Sequence, residues 1–370
     1  MRILLPYDIN QNASNKFLYY FYDSLKKENL DIKASSLEWK KKSKLFDAVI
    51  IHWPEHLPNC SFKYEKDFIN YSLERIDHFS KYSKIFYIVH NIKPHLNFSN
   101  NLINIFNAVI KNSTAIFHFS NFSRDLFINN GFNKHHNYIV PHGNYSQLMK
   151  KEINNIEFIK NFNLNNKKTT VSVIGAVRKK KEFKIIFNFA KEYLNANCNF
   201  IYSGSLVEDF QISGLNNFIN KLKKIFYHKL HFTKLVKIWR VYKLKSLGKS
   251  IIIFPNKIND NDLIKICNLT DILIIPRYDS LNSGNVALGF TFACYVVGPN
   301  IGNIGQILVN RNNLTFDVPN IKFKKIVYQS INLINNKIKK QNKAIALEEW
   351  DWPKLAKKYK SVFLKYKEIN

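Results

Sequence analysis

Residue types and spacing suggest two kinds of chemistry in this 370-residue chain. The first is anion binding. Residues 272–285 read ILIIPRYDSLNSGN, an apolar run closed by Pro276, then a polar loop in which Asn282, Ser283 and Gly284 lead into a helix. The first amides of a helix lack partners within it and carry the positive end of its dipole, so such a loop suits phosphate. The same composition also serves a tight βα turn that binds nothing. A second glycine-punctuated loop, GPNIGNIG at 298–305, follows the next apolar run and favours a ligand.

The second is hydrogen bonding and proton transfer. FDAVIIHWPE (46–55) places His52, Trp53 and Glu55 at the end of an apolar run, and KIFYIVHNIKPH (84–95) repeats this with His90, Asn91 and His95. Histidine's ordinary pKa near neutrality suits general-base work. An aromatic platform beside a carboxylate suits a sugar. Burial of His and Trp under a loop is the alternative reading of these strand ends.

Apolar runs alternate with amphipathic stretches along both halves, which predicts an α/β protein of two doubly wound domains. In such sheets ligands bind beyond the carboxyl ends of the strands, where these residues fall. Residues 1–150 are expected to form the first domain, 151–167 a polar linker and 168–349 the second domain. Residues 350–370 are expected to be a helix that packs back on the first, anchored by Trp350 and Trp352.

The strand, the P-x-x-x-S-x-N-S-G loop (276–284), the small-residue helix and V-x-G-P-N-x-G (296–302) resemble the donor-site segment of GT-B glycosyltransferases. The resemblance is to the group 1-like bacterial enzymes of capsule and lipopolysaccharide synthesis. It implies two Rossmann-like domains facing a central cleft, with Asn282, Ser283 and Gly284 on the diphosphate of a UDP- or GDP-linked sugar. VPHG (140–143) matches a family motif that makes His142 a donor-side contact and gives Gly143 a tight turn. Gly175, after the strand VSVI, would let the backbone approach the donor. Arg178 would offer a two-pronged donor to its phosphates, and Lys181 a mobile charge.

By the same resemblance His90 is the catalytic or acceptor-orienting residue, with His52 and Glu55 nearby. Asn12, Asn15, Trp53 and Asn91 are expected on the acceptor side, facing a glycan or lipid-linked acceptor. Retaining members carry two acidic residues eight positions apart; Asp279 matches the first, but position 287 is Ala287. There is no D-x-D motif, so no metal and no separate cofactor is expected.

Charge adds a partner. Lys and Arg number 56 against 27 Asp and Glu, a formal net charge of +29. Between Phe210 and Asn259 eleven Lys or Arg meet no acidic residue, and Leu222, Ile225, Phe226, Leu230, Leu235, Ile238, Trp239 and Tyr242 fall near helical spacing. A basic amphipathic insertion at 215–249 reads as a contact with an anionic membrane surface. A helix packed on its own domain with its lysines outward is the alternative. No RRM, KH or zinc-finger signature accompanies the charge, so nucleic acid is not expected.

No apolar run reaches the roughly 20 residues of a membrane span. The N-terminus reads as a strand, and Cys60, Cys198, Cys267 and Cys294 stand singly, as in a reduced cytoplasmic protein. The expectation is a cytoplasmic glycosyltransferase peripheral on the inner face of the membrane. Its rivals are a GT-B-type nucleotide-sugar epimerase and a non-catalytic membrane- or RNA-binding protein.

Overall fold

A computed structural model of the chain describes residues 1–9, 16–58, 65–93, 100–132, 136–151, 153–207 and 232–367. These form two units, residues 1–143 with 350–367, and residues 144–207 with 232–349. Asn12, Asn15, His95, Cys60 and the 215–231 part of the basic segment lie outside the described residues.

The first unit is built on six parallel strands: β1 (Arg2–Leu5), β2 (Asp31–Ala34), β3 (Ala48–Ile51), β4 (Lys84–Ile88), β5 (Ser113–His118) and β6 (Asn137–Ile139), in the order β2-β1-β3-β4-β5-β6. The AVII of β3 is buried at every position, as expected of a strand covered on both faces. Strand order reverses between β1 and β3, so their carboxyl ends open a crevice there. Helix Trp352–Lys367 packs on helix Phe17–Lys27, with Trp352 and Trp350 buried.

The second unit has six parallel strands of its own: β7 (Thr170–Ile174), β8 (Asn199–Ser203), β9 (Ile251–Phe254), β10 (Ile272–Ile274), β11 (Tyr295–Pro299) and β12 (Leu314–Phe316). Their order is β12-β11-β10-β7-β8-β9. The switch point lies between β7 and β10. These pair in register, Val173 against Ile274, so the loops after them leave the sheet side by side. Where a polar linker was expected at 151–167, the chain forms the short helix Ile156–Asn161.

Among the described residues, no helix is long and apolar enough to cross a membrane. Cys198, Cys267 and Cys294 are free and buried.

Candidate functional site

Each unit gathers its chemistry at its own switch point. In the second unit, Gly175 leaves β7 with φ +112, a left-handed conformation that glycine adopts without strain. A Cβ there would stand 3.3 Å from Nη2 of Arg277 and 3.9 Å from Nδ2 of Asn285. Three segments therefore converge over Gly175: the turn after β7, the end of β10 and the first turn of helix Gly284–Thr291. Asn285 ties that helix to β7 by donating to the Ile174 carbonyl at 2.6 Å. Ser283 caps the helix, its Oγ accepting from the Asn285 amide.

Arg277 is buried and its guanidinium is held at two points. Nη1 donates to Oε2 of Glu182 at 2.6 Å and Nη2 to the Ala176 carbonyl at 2.8 Å. The same Glu182 oxygen accepts from the Arg178 amide at 2.6 Å. The β7 turn is thus bent around Glu182 and stapled to β10.

Of the expected residues, Arg178 is half-buried in this turn and Lys181 is exposed, with its ammonium 4.6 Å from the Tyr278 ring centroid. Lys179 forms an ion pair with Asp279. Asn282 accepts from Nδ2 of Asn303 at 2.7 Å, which brings the 298–305 loop into the same cluster. Gly175, Arg178, Lys181, Asp279, Asn282, Ser283 and Gly284 all belong to it. Ala287 is buried in the helix.

In the first unit, the ends of β1, β3 and β4 meet. Tyr7 accepts from the amides of His52 and Trp53, both at 3.1 Å, and fixes the turn after β3. Tyr87 donates to the Asn91 carbonyl at 3.3 Å and does the same for β4. His52 Nδ1 and His90 Nε2 lie 3.1 Å apart, and the Trp53 ring lies 4.1 Å from the His90 ring. His52 is fully buried, and burial pushes its pKa down to about 3. Glu55 and Asn91 are buried as well, whereas Trp53 is half-exposed.

His142 and Gly143, expected on the donor side, belong to this first unit. His142 donates from Nδ1 to the Gly143 carbonyl at 2.8 Å, and burial holds its pKa at about 4. Gly143 is required for a reason other than the tight turn expected of it. A Cβ there would meet the Trp352 indole at 2.2 Å.

At the centre stands Phe17, within 4.8 Å of His90, 4.7 Å of His142 and 5.4 Å of Trp352, ring to ring. Tyr7, Phe17, Glu182 and Arg277 are the site residues that sequence reasoning missed. Glu182 carried a signal as the one acidic residue between Glu157 and Glu192, directly after a KKK run. Among the described residues, no three His, Cys, Asp or Glu side chains are grouped to hold a metal.

Comparison with solved structures bears on the fold. The chain is similar to Anabaena HepE, solved in complex with UDP-glucose, at 12% identity and a TM-score of 0.67, over 99% of this chain and 100% of that one. The fold is GT-B. Sucrose-phosphate synthase of Thermosynechococcus elongatus aligns over 100% of both chains at 8% identity, with a TM-score of 0.63. A candidate UDP-N-acetylglucosamine 2-epimerase of Listeria monocytogenes aligns over 98% of this chain and 83% of that one at 8% identity, with a TM-score of 0.54. No family model and no curated protein sequence matches.

Proposed function

We propose that this GT-B protein is a glycosyltransferase that moves a hexosyl group from a nucleotide sugar to a glycan or lipid-linked acceptor, in bacterial surface polysaccharide or lipopolysaccharide synthesis. The observation that carries the reading is the convergence, over Gly175, of the Arg178–Lys181 turn and the Ser283-capped helix end. Arg178, Lys181 and the first amides of that helix would stabilise the diphosphate as charge develops on it, a role that needs no metal ion. The UDP and UDP-glucose of the HepE structures support a uridine donor.

In this reading the acceptor hydroxyl oxygen bonds to the anomeric carbon as the bond to the diphosphate oxygen breaks. Its proton goes to His90. Burial keeps the His52 ring neutral, and its Nδ1, 3.1 Å from His90 Nε2, orients the His90 ring. Glu55, Trp53 and Asn91 complete the acceptor side, together with Asn12 and Asn15 from the first loop.

Thermal shift of the protein against UDP, GDP, CMP and dTDP tests this. A nucleotide at one hundred times its Kd adds about 2.7 kcal/mol of stability. One nucleotide should stabilise the wild type but neither Arg178→Ala nor Lys181→Ala, with all three equally stable when empty. No stabilisation by any of the four would favour a non-catalytic binding protein. Interconversion of the sugar on a nucleotide sugar supplied without acceptor would favour the epimerase reading.

A further inference from the structure

The helix Phe232–Lys245 is apolar on its outward face as well as on its inner one. Arg240 and Leu244 are buried, whereas Leu235, Ile238, Trp239 and Tyr242 are 59%, 55%, 53% and 72% exposed. At 100° per residue these four fall on an arc roughly 100° wide, and the half-buried Val236 and Val241 fall opposite with the buried pair. The inner face is anchored. Arg240 donates to the Leu206 carbonyl at 2.6 Å and lies 5.0 Å from the Phe183 ring centroid, and Lys237 bonds to Asn256.

The outward apolar stripe is bordered by cations. Lys243 lies beside it, 4.9 Å from the Trp239 ring centroid, and Lys234 and Lys245 project along its other edge. The helix packs on its own domain with lysines outward, as in the alternative reading, but apolar side chains stand between those lysines. Four apolar side chains, one of them Trp, stand in water within a stretch that carries no acidic residue from 211 to 259.

We infer that this face is a docking surface for an anionic lipid bilayer, with Trp239, Ile238, Leu235 and Tyr242 entering the headgroup boundary and Lys234, Lys243 and Lys245 meeting lipid phosphates. Two properties select that partner. A Trp and Tyr beside aliphatic residues suit the interface, where one end of each ring is apolar and the other wet. The bordering lysines, unrelieved by any nearby carboxylate in sequence, suit a negative surface. The inference does not depend on the glycosyltransferase reading, because the face lies on a helix that supplies none of the nucleotide-site residues.

Sedimentation with vesicles of phosphatidylglycerol and phosphatidylcholine, against phosphatidylcholine alone, tests it. The wild type should pellet with the anionic vesicles only, and brominated lipid should quench tryptophan emission in the wild type but not in Trp239→Phe. Trp239→Glu and Tyr242→Glu should each abolish pelleting while melting like the wild type, since both side chains are exposed. Lys234→Gln and Lys245→Gln should each weaken partitioning about fivefold. Equal binding to both vesicle types, or pelleting unchanged in the two glutamate variants, would overturn the inference. So would a wild-type dimer that either glutamate variant converts to monomer, or RNA binding that both variants lose.

Discussion

Arg277 and Glu182 are 95 residues apart in the chain and meet at 2.6 Å, both more than nine-tenths buried, where β7 and β10 release their loops. The pair joins the two halves of the proposed nucleotide site. Glu182 also receives the Arg178 amide, so one carboxylate holds both the turn and its fastening to β10.

Removing one partner leaves the other's charge buried. Arg277→Met should therefore cost about 3–5 kcal/mol in urea unfolding. The double variant Arg277→Met with Glu182→Met should recover a large part of that loss, because no lone charge remains. A loss in the double variant equal to the sum of the two single losses would show that the pair is not coupled.

Three buried histidines make the first unit acid-sensitive. His52 is pushed down to about 3, His118 and His142 to about 4, from an ordinary 6.5, in each case mainly by burial. Between those values the unfolded chain binds the additional protons, so stability is full above pH 6.5 and falls as pH drops toward 4. Unfolding midpoints measured from pH 7.5 to 4.5 should decline, and His142→Gln should flatten the slope. A slope unchanged in that variant would show that His142 titrates normally.

Gly143→Ala should be destabilising, by about 1–3 kcal/mol, the range for overpacking a filled core. Its added carbon would enter the benzo ring of Trp352. Trp352→Phe removes that ring's far edge, so the double variant should lose less than the two single losses added together. Thermal melts of the four proteins check this.

The contrast between Gly143 and the 272–285 loop marks how far the sequence could be read. Strand runs such as AVII and ILII, the β10 loop and the glycine after β7 are local patterns, and each fell where its spacing put it. Gly143 instead answers to a ring 209 positions later, and nothing near residue 143 signals that. Arg277 stood inside the quoted loop, yet its importance comes from Glu182, 95 residues before. Phe17 read as one apolar position among several on an amphipathic helix, and only the assembled sheet makes it the hub of three rings. The amphipathic character of residues 232–245 was legible. Which side faces out was not, because the strip that covers its inner face is built from Phe183 and Leu206.

Helix Trp352–Lys367 sets a timetable for synthesis. It is translated about 330 residues after Phe17 and Phe21, yet it covers them, with Trp352 and Tyr359 at 5.4 and 5.1 Å. The amino-terminal sheet must therefore wait, its apolar flank open, while more than two hundred further residues are translated. Domains otherwise tend to finish in the order they are made. Of the two units the one that begins first is the last to close, and a chain cut short before Trp350 would leave the earlier unit unfinished.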